Sequence, residues 1–307
     1  MEIFLQQVIN GLTLGAVYAV VALGYTMVYG IIQLINFAHG ELVMIGAMVA
    51  LSAIGALAPG GLPPGAVLLI GTGCAIPVCM LAGYAMERLA YRPLRGAPRL
   101  APLITAIGVS IILQHLAMLV WSRNNLAFPQ IIRTETYGVA GAAISNVQLA
   151  ILAISLATMA GLAALVYRTR LGTAMRATAQ NAQVARLMGI DVDRVIAATF
   201  VIGAALAALA GVMVGSYYGV AHYTMGSLLG LKAFAAAVLG GIGNIAGAML
   251  GGIVLGVVEA LGAGYIGDLT GNVFGSNYQD VFAFFVLIAV LVLRPSGLLG
   301  ERVGDRA

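Results

Sequence analysis

Three residue types that could do chemistry lie within six positions near the start of the chain, in the stretch 36–41 (NFAHGE). Asn36, His39 and Glu41 stand between two apolar runs, where polar side chains are costly to place in lipid. One interpretation is a break between two helices that faces a path across the membrane, with these groups lining or gating it. The other is a turn at the membrane interface, in which Asn36 caps the next helix and Glu41 complements its dipole.

Few other side chains within the apolar runs carry chemistry. Glu259 has no local partner, so we expect a buried, hydrogen-bonded role, with a contact to cargo as the alternative. Gln114 and His115 are expected to make interhelical hydrogen bonds, and Asp280, beside a loop, to be solvated. Ser110 and His115 do not form a hydrolytic pair, because five residues turn a helix by about 500°, which leaves them some 140° apart. No Gly-x-Ser-x-Gly elbow is present either.

The sequence indicates no nucleotide or metal site. The run 239–247 (LGGIGNIAG) superficially suggests a phosphate-binding loop, but it lacks the Lys-Ser/Thr ending of a Walker A motif and the strand–helix context of a dinucleotide fingerprint. If ATP drives this protein, another chain must bind it. Cys74 and Cys79 fall on different faces of a helix, so neither a disulfide nor a metal pair is expected.

Composition places the chain in lipid. Apolar residues make up 61% of the 307 residues and charged residues 8%, with a mean hydropathy of +1.02. Soluble domains are near half apolar and a quarter charged, so this chain could not cover a soluble surface. The net charge of +4 is carried by arginine, since Lys232 is the only lysine. The arginines fall between apolar runs and form no basic patch with aromatics, which argues against nucleic-acid binding.

Apolar runs of about 20 residues predict an all-α, polytopic transmembrane helix bundle of eight to ten spans. Nine runs can be delimited, at 8–30, 37–57, 66–86, 101–121, 148–167, 195–218, 228–242, 246–263 and 279–293. The seventh and eighth are short and rich in glycine, and they could form two spans or a re-entrant pair.

The arginines predict the orientation of these spans. Segments 87–100 and 168–194 and the tail from Arg294 hold most of them and should face the cytoplasm. The loop 122–147 holds two arginines and should face outward. This parity places the N-terminus outside and requires an even number of crossings between residues 219 and 278.

The predicted cytoplasmic loop, about 168–194, contains a helical pattern over residues 171–189. Small or apolar residues recur at helical spacing with polar residues between them: Met175, Ala179, Ala182, Ala185 and Met188 against Arg176, Gln180, Asn181, Gln183 and Arg186. Gly189 is placed to end this helix, and Asp191 and Asp193 to begin the next. The pattern predicts one short amphipathic helix whose alanine-rich face could seat in a groove on another protein. The alternative is a helix lying on the base of its own subunit.

Small residues at every fourth position predict close helix packing in lipid. Three such rows are present: Gly203, Ala207, Gly211 and Gly215; Gly243, Gly247 and Gly251; and Gly252 with Gly256. We expect packing seams inside the subunit or with a partner subunit, and a seam that slides during transport is the alternative.

Four stretches, in chain order, resemble the permease family of high-affinity branched-chain amino acid ABC importers. The stretch 36–41 followed by an apolar helix is similar to the early signature of that family. Residues 176–194, ending LMGIDVDR, are similar to its coupling loop. Residues 238–247 (VLGGIGNIAG) and 293–299 (LRPSGLL) are similar to its late motifs.

The resemblance implies a single membrane permease domain over residues 1–307, in the inner membrane of a bacterium. It implies a second, homologous permease subunit, two cytoplasmic subunits that bind ATP and Mg²⁺, and a periplasmic substrate-binding protein. The residues expected to couple to the ATPase are Met175, Arg176, Ala179, Asn181, Ala182, Ala185, Arg186 and Gly189. The candidate path residues are Asn36, His39, Glu41 and Glu259, and no cofactor or metal is expected in this chain.

The function expected from these observations is that of a non-catalytic transport subunit for branched-chain or other hydrophobic amino acids. Members of the family that the chain resembles also carry urea, short amides and aromatic acids, so the same machinery with one of these cargoes is the alternative. A stand-alone secondary transporter or channel is the rival from another class. Against it, no span shows the paired charges that proton coupling usually needs.

Overall fold

The computed structural model describes residues 2–98, 100–139, 141–269, 271 and 278–300, and helices dominate them. The α-helices are α1 Glu2–Ile32, α2 His39–Leu57, α3 Pro64–Met86, α4 Leu100–Val120, α5 Asn146–Arg168, α6 Arg170–Gln180, α7 Ala182–Leu187, α8 Val192–Tyr218, α9 Met225–Gly240, α10 Ile245–Leu269 and α11 Gln279–Leu293. A 3₁₀ turn, Ala58–Gly60, follows α2, and a π-helical turn, Glu87–Tyr91, and a 3₁₀ turn, Arg92–Leu94, follow α3.

Four short strands form two antiparallel pairs. Strand β1 (Leu126–Ala127) pairs with β4 (Val220–Ala221), and β2 (Thr136–Val139) pairs with β3 (Ala142–Ser145). The β2–β3 pair aligns Thr136 with Ser145 in a loop outside the long helices.

Seven helices in the described part of the chain are long and apolar enough to cross a membrane: α1, α2, α3, α4, α5, α8 and α10. Helices α9 and α11 are also apolar but have 16 and 15 residues. Each of the nine predicted apolar runs coincides with one of these nine helices to within a few residues. The prediction of an all-α, multi-pass membrane bundle is confirmed.

The chain divides into two compact units. The first contains residues 1–26, 134–159 and 232–307, and the second contains residues 27–133 and 160–231. Neither unit is a continuous stretch of sequence, because each is built from helices far apart in the chain.

In the second unit, α2, α3 and α8 pack against one another. Small residues permit this packing: a Cβ placed on Gly46 would lie 2.6 Å from the Cα of Ala208, and one on Gly211 would clash with the carbonyl oxygen of Val43. The predicted seam on α8 therefore lies inside the subunit, against α2.

In the first unit, glycines bring α10 against α1 and α9. A Cβ on Gly252 would lie 2.5 Å from the Cα of Ala19, and Gly251 and Gly247 lie against Ala236 and Gly240. The contacts with α9 run in opposite chain directions, so α9 and α10 form an antiparallel hairpin. These rows, too, are packing seams within the subunit, as predicted.

The two late motifs meet at the turn between α9 and α10. The backbone N–H groups of Leu298 and Leu299 donate to the carbonyl oxygens of Leu239 and Gly240, at 2.8 and 2.9 Å. Asn244 donates from Nδ2 to the Leu299 carbonyl at 2.9 Å. The tail thus satisfies carbonyl groups that the end of α9 would otherwise leave unpaired.

Candidate functional site

The stretch 36–41 forms a buried break between α1 and α2. The exposed fractions of Asn36, His39 and Glu41 are 2%, 1% and 0%. Asn36 Oδ1 accepts hydrogen bonds from the Ala38 N–H at 3.1 Å and from the Tyr91 hydroxyl at 2.7 Å. No side chain caps the start of α2, so the expectation that Asn36 caps this helix is wrong. The carboxamide instead closes the turn before α2 and fixes it to Tyr91.

Glu41 is a fully buried carboxyl group held by neutral donors. Its Oε1 accepts from the Ser110 hydroxyl at 2.9 Å and from Gln114 Nε2 at 2.8 Å, both on α4. Its other oxygen faces Gly226, where an added Cβ would approach it to 2.7 Å. Among the described residues no cation pairs with Glu41.

The same contacts settle the roles of the polar residues on α4. The interhelical hydrogen bond predicted for Gln114 is confirmed. The interhelical bond predicted for His115 is wrong, because His115 lies on the exposed side with Nδ1 2.9 Å from the Ile111 carbonyl oxygen of its own helix. The Ser110 hydroxyl, in contrast, is directed to Glu41. Ser110 and His115 are thus on different faces, as the helical rotation predicted.

Glu259 belongs to a buried group of charges, the charged triad, formed by Lys232 on α9, Glu259 on α10 and Asp280 on α11. Lys232 Nζ lies 2.7 Å from Glu259 Oε1 and 2.7 Å from Asp280 Oδ1. The Tyr18 hydroxyl donates to Glu259 Oε1 at 3.3 Å, and the ammonium lies 5.8 Å from the centre of the Tyr18 ring. The Lys232 and Glu259 side chains are 8% and 2% exposed.

The triad corrects two expectations from the sequence. Asp280 is not simply solvated, because it forms an ion pair with Lys232. The inference that the apolar helices carry no paired charges is also wrong, because the three charges of the triad pair across three different helices. No local pattern could have found them, although a single lysine in an apolar run was a signal that a partner must exist.

The predicted coupling loop contains two helices where one was expected. Helix α6 ends and α7 begins at Asn181, whose backbone is extended at φ −158°. Its Oδ1 accepts from the N–H groups of Gln183 and Val184, at 3.0 and 3.1 Å. Asparagine is among the best N-cap residues, and this local preference overrides the continuous helical pattern.

The end of α7 follows the sequence prediction. Gly189 has φ +83°, and its N–H donates to the Arg186 carbonyl at 3.0 Å. The Ile190 N–H donates to the Ala185 carbonyl at 3.0 Å, which completes a Schellman motif. Asp191 then caps α8 by accepting from the Arg194 N–H at 3.1 Å. A tight, defined turn therefore joins α7 to α8.

The face of this loop that was predicted to dock is partly buried and partly exposed. Met175 and Ala185 are each 3% exposed, so they pack into their own subunit. Arg176 folds back to donate to the Val166 carbonyl oxygen. Of the other predicted coupling residues, Ala179, Asn181, Arg186 and Gly189 are exposed and Ala182 is partly buried.

Three larger apolar side chains protrude from the loop, and one of them, Met188, belongs to the predicted face. Val184, Leu187 and Met188 are 52%, 86% and 79% exposed, and together we call them the apolar knob. Two residues of the predicted face, Met175 and Ala185, pack inward because small and apolar residues also suit packing within the subunit. The coupling role of the loop remains a prediction.

A salt-bridge cluster, the Asp193 junction, connects this loop to the end of α3. Asp193 accepts from Arg92 at 2.8 Å and from Arg95 at 2.5 Å, and Arg186 of α7 lies 3.6 Å away. Arg95 also pairs with the buried Glu87 in the π-helical turn. Two arginine-rich segments that the sequence assigned to the same side of the membrane are thus joined through one carboxylate.

These features define a class of protein. A multi-pass bundle with buried polar groups at a helix break and a braced loop between two long helices is typical of a membrane transport subunit. The chain also matches a family model described as branched-chain amino acid transport system / permease component, over residues 7–291. It therefore belongs to this permease family, as the four motifs indicated.

Individual relatives support the assignment along nearly the whole chain. The chain is 50% identical over 303 residues to the high-affinity branched-chain amino acid transport system permease protein BraD of Pseudomonas aeruginosa, with 97% of this chain and 96% of the relative covered. It is 46% identical over 307 residues to LivH of Escherichia coli K12, with the same coverage. A probable LivH of Methanocaldococcus jannaschii is 28% identical over 292 residues, covering 91% and 87%. No solved structure matches the chain.

Proposed function

We propose that this chain is the permease subunit of an ATP-driven importer for branched-chain amino acids, located in the inner membrane of a bacterium. The observation that carries the proposal is the 50% identity, over 97% of the chain, to a relative named as a high-affinity branched-chain amino acid permease. In this proposal a periplasmic binding protein delivers the cargo. The chain forms the path together with a second, homologous permease, and Asn36, His39, Glu41 and Glu259 are its candidate path residues.

Two ATP-binding subunits supply the energy in this proposal, and they hold the ATP and Mg²⁺. The glycine-rich run 239–247 contains the end of α9, the turn and the start of α10, and the tail residues Leu298 and Leu299 donate to the carbonyl groups of its first two residues. That arrangement supports the view that this chain has no ATPase site. A ligand shifts an equilibrium between inward-open and outward-open states only by its different affinity for the two states. ATP on the partner subunits provides that difference.

The coupling contact in this proposal is the apolar knob of α7. Leu187 and Met188 are 86% and 79% exposed, and adjacent exposed apolar side chains of this kind mark protein interaction sites. The Schellman turn at Gly189 and the Asp193 junction fix α7 to the start of α8 and to the residues that follow α3. A displacement of the knob by the ATPase therefore moves α8 and α3, which pack together with α2.

The test begins with purification of the tagged chain in mild detergent from its native host. We expect a second permease and a Walker-type ATPase to copurify at stoichiometric levels. Reconstituted with the cognate binding protein, the complex should take up labelled leucine when ATP is present, without an ion gradient. Competition with unlabelled isoleucine and valine, against urea, short amides and phenylalanine, then identifies the cargo class.

One observation favours a second candidate, a carrier driven by an ion gradient. The charged triad is a set of buried ionisable groups of the type found in proton-coupled carriers. Uptake by the purified chain alone that follows a proton gradient, with no copurifying ATPase, would favour this candidate and refute the importer.

A further inference from the structure

A cavity of about 320 Å³ lies where the end of α3 meets the start of α8, beside the Asp193 junction. Three arginines and a tyrosine contribute to its wall, together with three acidic residues and an alanine: Tyr84, Glu87, Arg88, Arg92, Asp191, Asp193, Arg194 and Ala197. All of these residues belong to the second compact unit, so the cavity is a feature of that unit alone.

The acidic side chains of this wall are already occupied by arginines. Asp191 pairs with Arg194 at 2.9 Å, Asp193 with Arg92 at 2.8 Å, and Glu87 with Arg95 just outside the wall. Arg88 forms no ion pair with any residue that the structure describes. Three guanidinium groups and three carboxylates therefore line the wall, and Arg95 and Arg186 pair with two of these carboxylates from outside it. Each guanidinium has five N–H donors, of which an ion pair uses one or two. The cavity retains donors for a further anion.

The position of the cavity along α3 indicates where that anion comes from. Helix α3 has 23 residues, which span roughly 34 Å at 1.5 Å per residue, about the thickness of a hydrocarbon core. Arg88 lies in the π-helical turn that follows α3, at the level of lipid headgroups. Leu81 and Leu89 are 69% and 76% exposed, so the neighbouring surface faces acyl chains. An exposed tyrosine beside an arginine, as Tyr84 is here, is typical of the membrane–water boundary.

We propose that this cavity binds the phosphodiester group of an anionic phospholipid. Arg88 provides a free guanidinium fork, which matches two phosphate oxygens. Arg92 and Arg194 supply further donors from the other walls. The acyl chains run along the exposed Leu81 of α3 and Leu89 of the π-helical turn. The bound headgroup braces the same helix ends that hold the Asp193 junction.

The experiment is native mass spectrometry of the full-length chain, purified with the subunits that accompany it and titrated with phosphatidylglycerol or phosphatidylcholine of identical acyl chains. The Arg88→Gln variant removes the free guanidinium without breaking an observed ion pair, so it should fold normally. Arg168→Gln removes an exposed arginine, also outside any observed ion pair, that does not line the cavity. A parallel titration with inorganic phosphate tests binding of the anion without a lipid.

We expect the wild-type chain to retain phosphatidylglycerol in preference to phosphatidylcholine. Arg88→Gln should weaken phosphatidylglycerol binding roughly fivefold, the usual contribution of one arginine at an anionic membrane surface. Arg168→Gln should bind as the wild type does. Equal binding by the Arg88→Gln variant, or an equal loss in Arg168→Gln, would refute the site. Displacement of the lipid by millimolar inorganic phosphate would reassign the cavity to a free anion and refute the lipid proposal.

Discussion

Removal of the Lys232 ammonium is the sharpest test of how charge is held inside this bundle. Lys232→Met keeps most of the side-chain volume but leaves Glu259, whose side chain is 2% exposed, without its cation. Asp280 is less affected, because its side chain is 31% exposed. Breaking a buried pair by removing one partner costs about 3–5 kcal/mol, since the remaining charge is uncompensated.

The double variant Lys232→Met/Glu259→Gln removes that uncompensated charge. Because a neutral replacement of both partners is often nearly neutral for stability, we expect it to recover all but about 1–2 kcal/mol. Thermal stability is measured in detergent, as the temperature at which the monodisperse peak in size-exclusion chromatography is lost. At about 2 °C per kcal/mol, the single variant should unfold roughly 6–10 °C below the wild type.

The control is Arg123→Met, which removes a positive charge from an exposed position. We expect its unfolding temperature to equal that of the wild type. A Lys232→Met variant as stable as the wild type would show that loss of the ammonium leaves no uncompensated charge inside the bundle. A double variant as unstable as the single one would show that lost packing, and not the stranded charge, is responsible.

The other predictions concern Glu41 and the coupling loop. Glu41→Gln keeps an acceptor for Ser110 and Gln114 and should cost less than about 1 kcal/mol, whereas Glu41→Ala strands both donors and should cost about 2–4 kcal/mol, measured by the same thermal assay. Arg186→Glu places a carboxylate beside Asp193 and should reduce ATP-driven uptake about tenfold or more while membrane insertion stays normal. Normal uptake would refute the proposed coupling role of the loop. Proline cannot adopt the φ of +83° found at Gly189, so Gly189→Pro should have the same effect on uptake. Leu187→Glu should abolish copurification of the ATPase without lowering thermal stability, and unchanged copurification would exclude the knob as the contact.

Local patterns in the sequence determined the membrane helices and several of their ends. A run of apolar residues predicts a span regardless of which helices surround it, because in lipid every backbone group must form its hydrogen bond within the helix. The same holds for Gly189, whose left-handed conformation suits glycine in any context, and for Asp191, which caps its own helix. The small-residue rows on α8 and α10 also predicted packing seams, since small residues in lipid favour close helix contact.

Only the tertiary structure decided which polar groups meet. Lys232, Glu259 and Asp280 lie on three helices, and Glu41 reaches Ser110 and Gln114 on another, so no sequence spacing records these contacts. The break at Asn181 and the inward face of Met175 and Ala185 were likewise hidden, because alternating small and polar residues suit both a partner's groove and the subunit's own base. Partner choice among distant residues depends on which helices become neighbours, and that is fixed by the packing of the whole chain.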